Sequence, residues 1–120
     1  MRHRVKKFKN FKKKDIDHRN AMLRNLLTSL FTHKAMMTTE KQAHAIIGEI
    51  DRLINVANTK EHGLAVREIA SILFTKHAGM ELTQVVAPKF KGLTSGFTRI
   101  TPIKYRDGDA AKVVKIELVK

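Results

Sequence analysis

Apolar residues recur at helical spacing through most of the first ninety positions and change to strict alternation near the end. Met22, Leu26 and Leu30 form one row at i, i+4 spacing, and Leu23, Leu27 and Phe31 form the row beside it. Together they predict a helix over about residues 18–33. Asp15 or Asp17 can cap its start, and His33 and Lys34 suit the negative end of its dipole. Ala35 to Thr38 is too short for another helix and is expected as a short strand. Thr39, with Gln42 at the capping-box position, opens the clearest helix in the chain. There Ala43, Ile46, Ile47, Ile50, Leu53, Ile54 and Ala57 keep a 3.6-residue period. A third helix is expected from about Glu61 to Phe74, burying Leu64, Ala65, Ile69, Ile72 and Leu73. A weaker helical stretch, interrupted by Gly79, covers about Lys76 to Ala87 and should stop near Pro88, since proline disfavours helix in the residue before it.

Beyond Pro88 the pattern changes. Residues 91–96 (KGLTSG) read as a loop. Phe97 to Lys104 reads as a strand, confined to an edge or bulged by Pro102. Arg106-Asp107-Gly108-Asp109 supplies turn chemistry centred on Asp-Gly. In Lys112 to Val119, Val114, Ile116 and Leu118 fall on one side and Lys115 and Glu117 on the other. The order α-β-α-α-α-β-β predicts an α+β domain of two layers, its helices packed on a small mixed sheet. Residues 1–14 are expected as a basic extension, mobile when free, and residues 15–120 as one domain. No internal repeat is visible.

Charge divides the chain in another way. Its 120 residues carry 24 Lys and Arg against 11 Asp and Glu, a formal net charge of +13. Residues 1–19 hold a net +7 and residues 83–120 a net +5, while residues 20–82 contribute +1. The middle therefore reads as scaffold and the ends as anion-facing. So large an excess, beyond the roughly 2–8 charges that keep a small domain soluble, favours a nucleic-acid partner, because neutralised phosphates release condensed counterions. Apolar residues are 42% of the chain, enough to exclude a disordered polycation. No apolar run approaches the ~20 residues of a bilayer crossing, and residues 1–14 lack the apolar centre of a secretory signal. A soluble intracellular protein is expected.

Catalysis finds no constellation to rest on. The absence of cysteine removes disulfide scaffolds, zinc ribbons, iron–sulfur sites and thiol nucleophiles. No Gly-rich phosphate loop and no G-x-S-x-G elbow is present. His3, His18, His33, His44, His62 and His77 show no H-x-x-x-H or H-E-x-x-H spacing. Asp107 and Asp109 read as a turn capping its own amides rather than as paired acids. Neither enzyme activity nor a metal, cofactor or small-molecule substrate is expected.

Two segments carry the case for nucleic acid. In the first, Arg2, His3, Arg4, Lys6, Lys7, Lys9, Lys12, Lys13 and Lys14 surround Phe8 and Phe11. Cations there neutralise phosphates, and a phenyl ring can stack on an unpaired base for roughly 1–3 kcal/mol. The second is SGFTRI, Ser95 to Ile100. Gly96 permits close backbone approach to a phosphate, Thr98 offers a hydroxyl and Arg99 a bidentate fork. If Phe97 and Arg99 share one strand face, Thr98 and Ile100 share the other. Lys104 and Arg106 extend the same basic end.

Several segments in fixed order resemble the bacterial large-subunit ribosomal protein family numbered seventeen in the large-subunit series. They are the opening MRHR, HRNAMLRNLLTSL from His18, MTTEKQA from Met37, DRLINVANT from Asp51, APKF from Ala87, SGFTRI, and YRDGDAAKVVKIELV from Tyr105. There are departures. In the family the Thr-Thr pair usually leads into a basic residue, Ala, Lys and Glu, where Gln42, Ala43, His44 and Ala45 stand here. The family's double glycine is Ser95-Gly96, its aromatic is Phe97, and the segment between Arg4 and His18 is longer and richer in lysine than is typical.

The resemblance implies an α+β protein on large-subunit RNA, its basic N-terminal extension threaded among RNA helices. It also implies a place near the exit of the peptide tunnel beside other ribosomal proteins, as a single copy in the particle, within the cytoplasm. By motif, Arg2, His3, Arg4, His18, Arg19, Arg24 and Asn25 carry over as RNA contacts, as do Gly96, Thr98 and Arg99, with Ser95 beside them. The expected function is that of a structural constituent of the ribosome that supports assembly and translation. A DNA-binding architectural or regulatory protein is the alternative, and a nucleic-acid hydrolase a more remote one.

Overall fold

The computed structural model describes residues 15–119; the expectations for residues 1–14 and for Lys120 lie outside them. Asp15 caps the first helix, α1 (Ile16–His33), its carboxylate accepting the His18 N–H at 2.8 Å. Lys34 ends α1 in the left-handed conformation at φ 68°, its own N–H donating to Leu30 O at 2.7 Å. That turn swings the chain directly into β1 (Ala35–Thr39).

Helix α2 (Glu40–Thr59) follows without a break and forms the centre of the core. Ala43, Ile46, Ile50, Leu53 and Ile54 are fully buried, as the spacing predicts; Ile47 and Ala57 pack at the margin, while Ala45 and Val56 are buried in addition. Thr39 stands at the N-cap position but makes no side-chain cap bond, so the expected capping box does not form. Gln42 instead accepts from the Thr38 hydroxyl and donates to Met22 Sδ at 3.5 Å, joining β1, α1 and α2.

Helix α3 (His62–Ala70) ends earlier than the apolar pattern suggests. The Ser71 hydroxyl bonds Glu68 O at 2.6 Å, and the turn that follows is held from outside by α1. Arg24 Nε donates to Ile72 O at 2.7 Å, and Thr28 Oγ1 accepts the Phe74 N–H at 3.0 Å. Backbone groups that a longer helix would have paired internally thus find partners on α1. Ala65, Ile69 and Leu73 are buried and Ile72 lies at the margin of the core, but Leu64 is 55% exposed, against expectation. It falls outside the stripe of Ala65 and Ile69 that faces the core.

Thr75 caps α4 (Lys76–Glu81), which passes into a π-helical turn (Leu82–Val86) and a last turn, α5 (Ala87–Lys89). The helical path therefore includes Pro88 but ends near it as expected, at Lys89. The wide turn, in which Ala87 N–H reaches Leu82 O, moves the carbonyls that a proline ring would otherwise strike. Gly92 and Gly96 have φ of +88° and +74°, and after the second of these Phe97 drops into the core against Phe90. The two rings meet edge to face with centroids 4.9 Å apart.

Strands β2 (Thr98–Tyr105) and β3 (Lys112–Leu118) form a hairpin, and the sheet order is β1-β3-β2. Both neighbours run antiparallel to β3, so the sheet is purely antiparallel rather than mixed. β1 and β2 do point the same way, as a long helical connection allows, but β3 lies between them. β2 is an edge strand with a register shift between Pro102 and Lys104, in keeping with proline's missing donor. Val114, Ile116 and Leu118 face the helices and are buried.

Truncating Ile50 to Ala should cost about 2–5 kcal/mol in urea denaturation, whereas Leu64→Ala should change stability by less than about 0.5 kcal/mol.

Candidate nucleic-acid interface

The candidate residues that are described fall into two separate groups. On α1, His18 and Asn25 are exposed and Arg19 is half-buried. His18, Ala21, Met22, Asn25, Leu26 and Ser29 line a shallow depression along one face of the helix. Arg24 does not join them. Besides its bond to Ile72 O, its guanidinium lies 4.1 Å from the centroid of the Phe74 ring, and both contacts are internal.

The second group is the end of the sheet and the loop leading to it. Ser95 and Gly96 are exposed, and Asn55 Nδ2 anchors this loop by donating to Thr94 O at 3.0 Å. Thr98 is half-buried opposite Leu118 on the helix-facing side. Phe97 precedes the strand and is buried, while Arg99 is 62% exposed on the open side, so the two do not share a face. Arg99 pairs across the sheet with Glu117: Nε and Nη2 reach Oε1 at 3.1 and 2.9 Å. Arg106 closes the hairpin turn on Asp109, at 3.1 Å from Nε and 2.6 Å from Nη2. Lys104 is exposed beside the bulge.

Direct cross-strand partners share a face, so the register defines the open side of the sheet. Ala35, Glu117 and Arg99 form its first row, Met37, Lys115 and Thr101 its second, and Thr39, Val113 and Lys104 its third. Lys115 is thereby a neighbour of the candidate residues. Its alternation with Glu117 was visible in the sequence, but which strands would flank it was not.

Several of the described acids are engaged by cations, and this lowers the pKa values of four of them. Asp109 is held at about 2 by the Arg106 side chain and then by the Ala111 N–H. Glu117 is lowered by Arg99 and Lys115, Glu68 by Lys60 and Arg52, and Glu81 by Lys34. Asp51 on α2 is shifted the other way, upward, by burial; its Oδ1 and Asn58 Nδ2 are enclosed without a protein partner. Among the described residues no three His, Asp or Glu side chains cluster as metal ligands would, and no helix is long and apolar enough to cross a membrane.

The sheet with its basic open face is thus joined through one long helix to a chain segment rich in lysine and arginine. The sequence profile of ribosomal protein L17 matches residues 22–119. The large ribosomal subunit protein bL17 of Desulforudis audaxviator is 38% identical over 104 residues, covering 86% of this chain and 91% of that one. Its counterpart from Rubrobacter xylanophilus is 40% identical over 106 residues, covering 88% and 87%. The chain belongs to the ribosomal protein L17 family.

Two outcomes are expected. Arg24→Ala should lower stability by about 1–2 kcal/mol in urea, through the lost charged hydrogen bond and ring contact, while Asn25→Ala leaves stability nearly unchanged. A carboxylate whose folded pKa is depressed contributes stability above its unfolded value and loses it as pH falls through the folded one. For Asp109 that window runs from 3.8 down to about 2. The urea midpoint should therefore fall across this range, and Asp109→Asn should make the fall shallower.

Proposed function

We propose that this chain is a non-enzymatic structural constituent of the large ribosomal subunit that holds separate segments of ribosomal RNA together through its two basic ends. Membership of the L17 family supports the first part. The second rests on one geometric observation. The segment bearing residues 1–14 joins the fold at Asp15, and the sheet begins at Ala35, the whole of α1 apart. At 1.5 Å per residue, eighteen helical residues span about 27 Å. The point at which the first basic segment joins the fold is therefore about the length of α1 from the first row of the sheet, and residues 20–82 between the two charged stretches of sequence add only +1.

The division of charge fits this arrangement. Residues 1–14 carry eight Lys and Arg and no acid. Recognition proceeds through phosphates, 2′-hydroxyls and the shape of loops, because the major groove of an RNA duplex is too narrow for side chains. Many modest contacts then give firm attachment with little reading of sequence. His18, Arg19 and Asn25 extend the contact of the N-terminal segment along α1, and Ser95, Gly96, Thr98, Arg99, Lys104 and Arg106 form the second contact. Arg24 stiffens the helix that separates them. One copy per particle, near the tunnel exit beside other ribosomal proteins in the cytoplasm, completes the reading.

Sedimentation of cell extract through sucrose at moderate and high salt tests it. The chain should co-migrate with the large subunit at about one copy per particle at both salt concentrations; migration at the top of the gradient or with the nucleoid would overturn the proposal. Deleting residues 1–14 should weaken binding to ribosomal RNA and flatten its salt dependence by up to ~0.7–0.9 logarithmic units per lost phosphate contact. The circular dichroism of residues 15–120 should be unaltered, and unfolding of the truncated chain would refute the division of labour.

A further inference from the structure

The open face of the sheet contains an ion triplet that the fold does not need for burial. Glu117 sits near the end of β3, the central strand, with each carboxylate oxygen given to a different cation. Oε1 accepts from Arg99 on the adjacent strand, and Oε2 lies 3.4 Å from Lys115 Nζ on its own strand. Glu117 is 21% exposed, whereas Arg99 and Lys115 are 62% and 44% exposed, so the acid lies beneath the cations that it holds. The Arg99 contact uses Nε and Nη2, leaving both N–H groups of Nη1 for another acceptor. Of the nine positions on this face three are cations and one is an acid, and that acid is spent between two of the three.

We infer that this face is a docking surface for an RNA backbone, in which Glu117 is a positioning residue that fixes Arg99 and Lys115 as a two-pronged phosphate clamp. The inference rests on the RNA-binding reading above and deepens it by assigning Lys115 and Glu117 to the second contact. Thr101 lies beside Lys115 in the register and supplies a hydroxyl within the same row; Lys104 continues the line of cations along β2. Met37, 67% exposed on the far side of Lys115, gives the row an apolar end that a sugar or base can cover. The excess of cations over acids favours a polyanion as the occupant over another basic protein.

Ordinary electrostatics and positioning predict opposite signs for one substitution. Glu117→Gln removes a negative charge. If Glu117 were only a nearby repulsive charge, losing it about 7 Å from a phosphate in water would tighten binding roughly threefold. If it positions the clamp, both cations are released to solvent and binding weakens in spite of the added net charge. Affinity of the full chain for deproteinised large-subunit ribosomal RNA, measured by filter binding over a salt series, separates the two. Expected is a several-fold loss for Glu117→Gln in the wild-type background and no loss when Arg99→Gln and Lys115→Gln are already present.

Thr101→Glu keeps the test decisive should Glu117→Gln disturb the hairpin. It should weaken binding about tenfold, while Leu64→Glu, the same charge change on exposed α3, should have a much smaller effect. Tighter binding by Glu117→Gln, or equal effects of Thr101→Glu and Leu64→Glu, would overturn the inference and leave the sheet face to some other partner. Absence of RNA binding by the wild-type chain would overturn the underlying reading as well. If the wild type binds and loses its salt dependence with residues 1–14 but is indifferent to Arg99→Gln and Lys115→Gln, this inference alone fails.

Discussion

One layer of helices can cover one face of a three-stranded sheet, and the remaining structure follows from that constraint. The alternation of Val114, Ile116 and Leu118 selects the covered face, and α2 supplies most of what covers it. Burial on that side forces Arg99, Lys115 and Glu117 to the other, because successive side chains on a strand point to opposite faces. The same hydrophobic choice that builds the core therefore displays the cations. Cationic face and core are two readings of a single alternation.

The cations at the end of the sheet are not loose. Arg99 and Arg106 each carry a carboxylate partner, and Glu117 carries two cations. Exposed pairs of this kind add little to stability, typically below about 1 kcal/mol. Their consequence is conformational: a long side chain held in one orientation has less entropy to lose when an anion arrives. At the other end of the molecule Arg24 serves a different purpose. Its guanidinium satisfies the backbone of the turn after α3 and rests on Phe74, so α1 is fastened along its length to the helical layer.

Much of this was legible in the residues. The rows Met22–Leu26–Leu30 and Leu23–Leu27–Phe31, the long stripe of α2, the edge character imposed by Pro102 and the Asp-Gly hairpin all rest on local rules: period, proline geometry and turn chemistry. The differences have separate physical causes. Helix α3 stops at Ala70 because side chains of α1, some forty-eight residues away in the case of Arg24 and Ile72, offer the turn better partners than another helical turn would. The path includes Pro88 because a π-helical turn makes room for it. The reciprocal bond of a capping box at Thr39 is lost because the Gln42 side chain is drawn to Thr38 and Met22 instead.

Local pattern and charge by themselves determined the class of fold, most of the faces that are buried and the concentration of cations at the two ends of the sequence. The motifs in their order determined the family. Tertiary structure decided which cations are available: it turned Arg24 inward, set Glu117 between Arg99 and Lys115, and placed β3 between β1 and β2. Such decisions depend on cross-strand register and on contacts between distant segments. An alternating strand specifies which way its side chains point, but only its neighbours specify what stands beside them.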